Sequence, residues 1–443
     1  MLLFLMLCCM VLLYIISYFF SKKDIFSPPN ILLLGFIFST IFAILNIDTW
    51  NFNMGYRTFF VILLGILGFI LGFYIFFYIF YRNNYIISKM NKNYPRISNV
   101  KMIIYIIIQV VALIAVYNAV TYVASMYGGG DSLGEKIFLY RTALITKSDD
   151  FVRLPTIVTT LYDFSYYCTY YIIYILLNRY YIEKKIQKIY LVSIFITVST
   201  ALLLGNRGDT IFLVLGFFII KYIFEMRENS WRIKINIKII TKYALLGVLL
   251  LISFPTVGLY LVGRGNDIDE IINGTFEQLS MYIGAPLKLL DLYMYTDYGS
   301  SSIALGFNTF NEFYRWIGYR LSIVEWDKLI GNEFRYDNGV LLGNVYTMFR
   351  PFVADFGLVG VFLLSFIMGL FFSFLYTKIK YTEFIYNKYN IDCYLIIYAT
   401  FIVSIVLGFF TNWFYTMIIN FKFIKMIIYW KIFERYFLIR RKK

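Results

Sequence analysis

Gly205-Asn206-Arg207-Gly208-Asp209 interrupts two apolar runs, residues 189–204 before it and residues 210–220 after it, the second ending at Lys221. Neither run comfortably reaches the roughly 20 residues that cover about 30 Å of hydrocarbon. Short helices would therefore hold an arginine and an aspartate at the membrane face, where charge is expensive and is kept for function. The glycines leave backbone N–H groups open and the guanidinium supplies a planar fork. Together they suit an oxyanion such as a lipid phosphate. A tight turn between antiparallel helices would also favour glycine and asparagine, with the Arg–Asp pair capping the helix ends.

Working outward, the rest of the chain is as apolar as these two runs. Hydrophobic residues make up 60% and charged residues 15% of the 443, with a mean hydropathy of +0.70, which excludes a soluble globular protein. The expected fold is an all-α integral membrane protein with about eleven transmembrane helices and a long outward loop. The spans fall near 2–20, 30–47, 57–81, 101–124, 155–178, 189–204, 210–225, 243–262, 352–376, 391–410 and 413–430. The first lacks a basic lead and a small-residue cleavage site, so it reads as a retained span rather than a signal peptide. The chain divides into a bundle over 1–262, an outward loop over 263–351 with short helices, and a C-terminal part over 352–443, all one integral unit.

Lysine and arginine set the orientation. With the N-terminus outside, the inside segments carry 28 of the 41 basic residues, each is net basic, and most acidic residues lie outside. The C-terminus is then cytoplasmic and the 205–209 turn faces out. This rule and anionic headgroups account for the +15 net charge, so no nucleic-acid partner is needed. The four cysteines form neither a disulfide framework nor a metal site, and the absence of histidine removes the commonest general base and zinc ligand. No metal or cofactor is expected, and no nucleotide-binding motif is present to supply ATP drive.

Two outward segments, 125–154 and 263–351, are too long for simple turns. Five of the seven basic residues in the second are arginine (Arg264, Arg315, Arg320, Arg335 and Arg350), the residue suited to bidentate phosphate contacts. Gly263-Arg264-Gly265 places a second glycine-flanked arginine at headgroup level, as a shared anion ligand or an interfacial anchor. Asp355, in the first turn of a span, is a dipole-stabilising carboxylate, an arginine-orienting group or a proton acceptor. Glu312 and Arg315 share a helix face at i, i+3, whereas Arg315 and Arg320 do not. Arg141, in the first outward segment, is the weakest of these candidates. Tyr293, Tyr295, Tyr298 and Tyr314 suit either packing or stacking on sugar rings.

Leu204-Gly-Asn-Arg-Gly-Asp209, Tyr282-Ile-Gly-Ala-Pro286, Gly343-Asn-Val-Tyr-Thr-Met-Phe-Arg350 and Asp355-Phe-Gly357, in that order, resemble the Wzy-type polymerases of O-antigen and capsule repeat units. The resemblance covers essentially the whole chain and implies a lipid-using glycosyltransferase of the C type (GT-C) in the bacterial inner membrane. It implies an undecaprenyl-diphosphate-linked donor and acceptor, with a chain-length regulator protein as a further partner. The related O-antigen ligases are associated with a histidine beside their arginines, which this chain lacks. The expected catalytic residues are Arg207, Asp209, Arg264 and Asp355. Asn206, Arg315, Arg320, Arg350, Arg141 and Glu312 would bind substrate. A flippase for lipid-linked oligosaccharide is the rival from the transporter class, against which stand the 89-residue outward loop and the missing internal repeat. A ligase would grip the same donor. A scaffold role gives no reason for Arg207 and Arg264.

Overall fold

The computed structural model describes residues 1–81, 87–90, 94–146, 154–231, 277–298, 304–318, 321, 334–337, 339–381 and 387–440. In chain order the helices are α1 (Leu2–Phe20), α2 (Pro28–Leu45), α3 (Tyr56–Tyr81), α4 (Asn99–Met126), α5 (Leu133–Thr146), α6 (Thr156–Glu183), α7 (Lys188–Leu203) and α8 (Arg207–Glu228). After α9 (Ala285–Thr296) and the single turn α10 (Asn311–Phe313) comes a hairpin of β1 (Arg335–Asp337) and β2 (Val340–Gly343). The chain ends with α11 (Phe349–Tyr381), α12 (Cys393–Phe401), α13 (Val403–Val406), α14 (Trp413–Ile418) and α15 (Phe421–Tyr436).

Among the described residues five helices are long and apolar enough to cross a bilayer: α1, α2, α4, α11 and most of α3. Their outer faces stay apolar, as with Ile103, Ile107 and Ile114 on α4. In water such a face would be an aggregation liability, and in lipid it is solvated. The protein is an integral membrane protein. The runs expected at 155–178, 189–204 and 210–225 correspond to α6, α7 and α8, and that at 243–262 lies outside the described residues.

The last two apolar runs are not continuous helices. Residues 407–412 leave the helix, so that the Gly408 carbonyl accepts the Met348 N–H at 2.9 Å. Asn412 then caps α14 through the Tyr415 N–H at 3.2 Å, while its amide donates to the Thr309 carbonyl at 3.1 Å. A second break precedes α15, where Asn420 accepts the Lys422 N–H at 2.9 Å. Irregular backbone at such a place persists because protein groups satisfy it. The β1–β2 hairpin is likewise an addition to an all-helical expectation. It is antiparallel, with an irregularity between Arg335 and Tyr336.

Two compact units interleave along the chain. The first holds Met1–Ile86, Glu277–Thr382 and Phe401–Ile424; the second holds Ile87–Phe276, Glu383–Thr400 and Lys425–Lys443. In the first, α3 and α11 cross at backbone contact. A methyl at Gly72 would lie 2.2 Å from the Phe366 carbonyl oxygen, and one at Gly369 would lie 2.3 Å from that of Phe69. Small residues at such a crossing replace the hydrophobic drive that lipid cannot supply. In the second unit a buried polar network joins α4, α6 and α7. Gln109 donates to Thr197 Oγ1 at 2.8 Å and accepts from Ser193 at 2.8 Å, and Thr197 meets Thr169 at 2.9 Å.

The second unit also holds two ion pairs that join segments distant in the chain. Lys184, after α6, pairs with Glu228, at the end of α8, at 2.6 Å. Arg227 and Asp392 form an ion pair with both side chains fully buried, and Arg227 also donates to Ser88 Oγ at 3.3 Å.

Candidate active site: two arginine clusters

The α7–α8 turn in the second unit is closed from both ends. Gly205 adopts φ +62°, and its N–H donates to the Leu202 carbonyl at 2.8 Å while that of Asn206 reaches Ala201 at 3.0 Å. These two bonds are the Schellman pattern that terminates a helix with a left-handed glycine. Asn206 then caps α8. Its Oδ1 accepts the Asp209 N–H at 3.4 Å, and its Nδ2 donates to Asp209 Oδ2 at 2.7 Å. This is a side-chain variant of the capping box.

Arg207 therefore occupies the first position of α8. That is the end of a helix where a cation is unfavourable by about 0.3–1 kcal/mol and where anions are favoured. Asp209, in the same turn, partly offsets the cost. The stem of Arg141, carried by α5, lies directly over Gly205. A methyl there would sit 2.4 Å from Arg141 Cγ and 2.7 Å from Cδ. Helix α5 thus delivers a second guanidinium stem to the turn, which sequence spacing does not show. Arg141, Asn206, Arg207 and Asp209 are all half-buried. Tyr162 of α6, buried, donates its hydroxyl to Asp209 Oδ2 at 2.6 Å.

The first unit holds the other cluster. Arg350 lies in the first turn of α11, again at a helix N-terminus, with its guanidinium 4.9 Å from the Tyr293 ring and 4.7 Å from that of Tyr346. Two aromatic faces fix the plane of the fork by cation–π attraction. Burial pushes the Tyr293 phenol up, with Arg350 opposing. The hairpin lies on α9 through two ion pairs, Arg335 with Asp297 and Asp337 with Lys288, the second at 2.7 Å. The first of them brings Arg335 to the end of α9, three residues beyond the Met294 that follows Tyr293. Tyr295 and Tyr336 remain exposed.

Asp355 has a different setting from Asp209. Its carboxylate accepts from the Asn308 N–H at 3.2 Å, the Asn308 amide at 2.9 Å and the Thr309 N–H at 2.6 Å. It anchors the 308–309 loop to α11, two residues before Gly357 interrupts the helix at φ 63°, ψ −162°. Glu312 pairs with Arg315 at 2.9 Å, as their i, i+3 spacing implies. Arg264 and Arg320 lie outside the described residues. Among the described residues no group of His, Cys, Asp and Glu is placed to hold a metal ion.

Tyr162 escaped the sequence reading as one of 42 tyrosines, and Tyr346 was read only as part of the 343–350 motif. The spacing of Tyr162, Tyr166, Tyr170 and Tyr174 along one helix face was the available signal.

Searches of curated proteins and of solved structures give no match for the chain. The family model of the O-antigen polysaccharide polymerase Wzy matches residues 1–325, a stretch that includes Arg141, the whole 205–209 turn and Arg315. With most of its length matched and a multi-pass helical body built for lipid, the chain belongs to the O-antigen polysaccharide polymerase Wzy family and is a membrane glycosyltransferase.

Proposed function

We propose that the enzyme transfers a growing glycan from undecaprenyl diphosphate to the terminal sugar hydroxyl of a newly delivered lipid-linked repeat unit. Repeat-unit polymerisation on lipid-linked substrates is the activity of its family. The observation that carries the mechanism is Arg207, at the first position of α8 with the Arg141 stem over the adjacent Gly205. The helix N-terminus and the guanidinium groups both favour an anion at this position.

The acceptor hydroxyl oxygen attacks the anomeric carbon as the bond to the diphosphate oxygen breaks. The electron pair of that bond leaves with undecaprenyl diphosphate, and a single displacement inverts the anomeric centre. Guanidinium groups stabilise the charge that builds on the leaving group, so the step is metal-independent. Losing one such donor costs on the order of 3 kcal/mol of barrier. The hydroxyl proton passes to a carboxylate, since the chain has no histidine. Asp209 is the first choice, because it lies in the same helical turn as Arg207, whereas Asp355 anchors the 308–309 loop. Asn206, Arg315, Arg320, Arg350, Arg141 and Glu312 are assigned to substrate binding, and Arg264 shares with Arg207 the role of stabilising the leaving group.

The proposed topology has eleven spans, the N-terminus and the 263–351 loop outside, the C-terminus in the cytoplasm and the site on the outer face. The test is reconstitution with a lipid-diphosphate repeat unit. A ladder of products is expected from the native protein, and Arg207→Ala should insert and fold normally while extension falls at least about a hundredfold. Normal-length polymer from Arg207→Ala would remove the site assignment. A single transferred unit would favour a ligase, and translocation without bond formation a flippase.

A further inference from the structure

Asp209 is tethered from two directions at one oxygen. Asn206 reaches Oδ2 from within the turn at 2.7 Å, and Tyr162 reaches the same atom from α6 at 2.6 Å. The tether from Asn206 is short-range and moves with the turn. The tether from Tyr162 refers the carboxylate to a different helix.

The phenol is also held still. Its ring stacks on Tyr166 at 5.9 Å and 29°, and Tyr166 meets Tyr170 edge-on at 6.1 Å and 88°. Tyr170 fills the space over Gly216 of α8, where a methyl would lie 2.6 Å from its Cε1. The hydroxyl is therefore the outer end of a packed column of rings in the α6–α8 interface. Its position is set by core packing rather than by side-chain rotation.

We infer that Tyr162 is a positioning residue of the transferase, a fixed phenol that orients the Asp209 carboxylate relative to Arg207. This rests on the reading of Asp209 as the proton acceptor. The orientation matters because a proton acceptor works only within hydrogen-bond reach of the hydroxyl it serves. A carboxylate hinged only on its own turn would sample other rotamers. Other titratable groups within electrostatic reach of Asp209 include Tyr166, Tyr167 and Tyr170 on α6. On its own turn lies Arg207, and over that turn lies the Arg141 stem.

The experiment uses the full-length protein in lipid vesicles, with a lipid-diphosphate-linked repeat unit as probe and the initial rate of ladder formation as readout. Tyr162→Phe keeps the ring column and removes the hydroxyl. Its kcat should fall about tenfold, as expected for one hydrogen bond to a charged group, with KM within about twofold of native. The acidic limb of its pH–rate profile should move up by about one pH unit, since a carboxylate that loses a donor is less easily ionised. Native kcat in Tyr162→Phe overturns the inference, as does a fall in kcat with the acidic limb unmoved. Asp209→Asn is measured in parallel. Native extension by that variant overturns the reading of Asp209 itself, whereas its inactivity beside a native-like Tyr162→Phe overturns only the role of Tyr162.

Discussion

Gly205→Ala is a small change with two separable consequences. The first is conformational. At φ +62° an added Cβ costs about 1–2 kcal/mol of stability. The second is steric and concerns Arg141. The new methyl would lie 2.4 Å from Arg141 Cγ, against a comfortable carbon–carbon separation of about 3.5–4.0 Å. The stem must therefore retreat by about 1.1–1.6 Å, and its guanidinium moves with it. A displacement of about 1 Å in a positioned group costs about a hundredfold in rate, or about 2.7 kcal/mol of barrier. The expected variant is folded, with its thermal unfolding in detergent lowered by a few degrees and ladder formation down about a hundredfold. In an Arg141→Ala background the clash disappears, leaving Ile137 Cγ2 at 3.3 Å as the nearest remaining neighbour. There the same glycine substitution should cost less than about threefold in rate, the residue of backbone strain alone. Native-length polymer from Gly205→Ala, or an equal loss in both backgrounds, would refute the coupling of Arg141 to the turn.

Two further substitutions probe the remaining charged features. Arg227→Leu leaves Asp392 buried without its cation and should cost about 3–5 kcal/mol in detergent unfolding, much of it recovered when Asp392→Leu is added. A single variant as stable as the native protein would show that the pair is not where stability resides. Arg350→Lys keeps the charge but loses the flat contact with Tyr293 and Tyr346, so extension should fall about tenfold, as befits about 1–2 kcal/mol of cation–π attraction. Unchanged kinetics in that variant would mean that the stacked fork has no bearing on the site.

The 205–209 stretch was legible as a turn because glycine and asparagine between two apolar runs favour a helix stop and a cap. The pairing of Glu312 with Arg315 was legible because helical spacing alone puts them side by side. The placement of Arg141 was not legible. It lies 64 residues from Gly205 in the chain, and only the packing of α5 brings its stem there. Apolar runs also concealed the breaks at 407–412 and before α15. Hydropathy averages over composition, while Asn412 and Asn420 act individually, by capping. For the same reason a scale of burial cannot single out Tyr162, whose ring is as apolar as its neighbours and whose one oxygen carries the contact.

The turn between α7 and α8 satisfies its own hydrogen bonds at both helix ends, so its shape does not depend on a bound substrate. A polymerase must release one lipid diphosphate and accept another many times on a single chain. A junction that neither unravels on release nor refolds on capture lets each round begin from the same starting geometry. If the turn is the diphosphate site, as proposed, chain growth proceeds without a reorganisation step between additions.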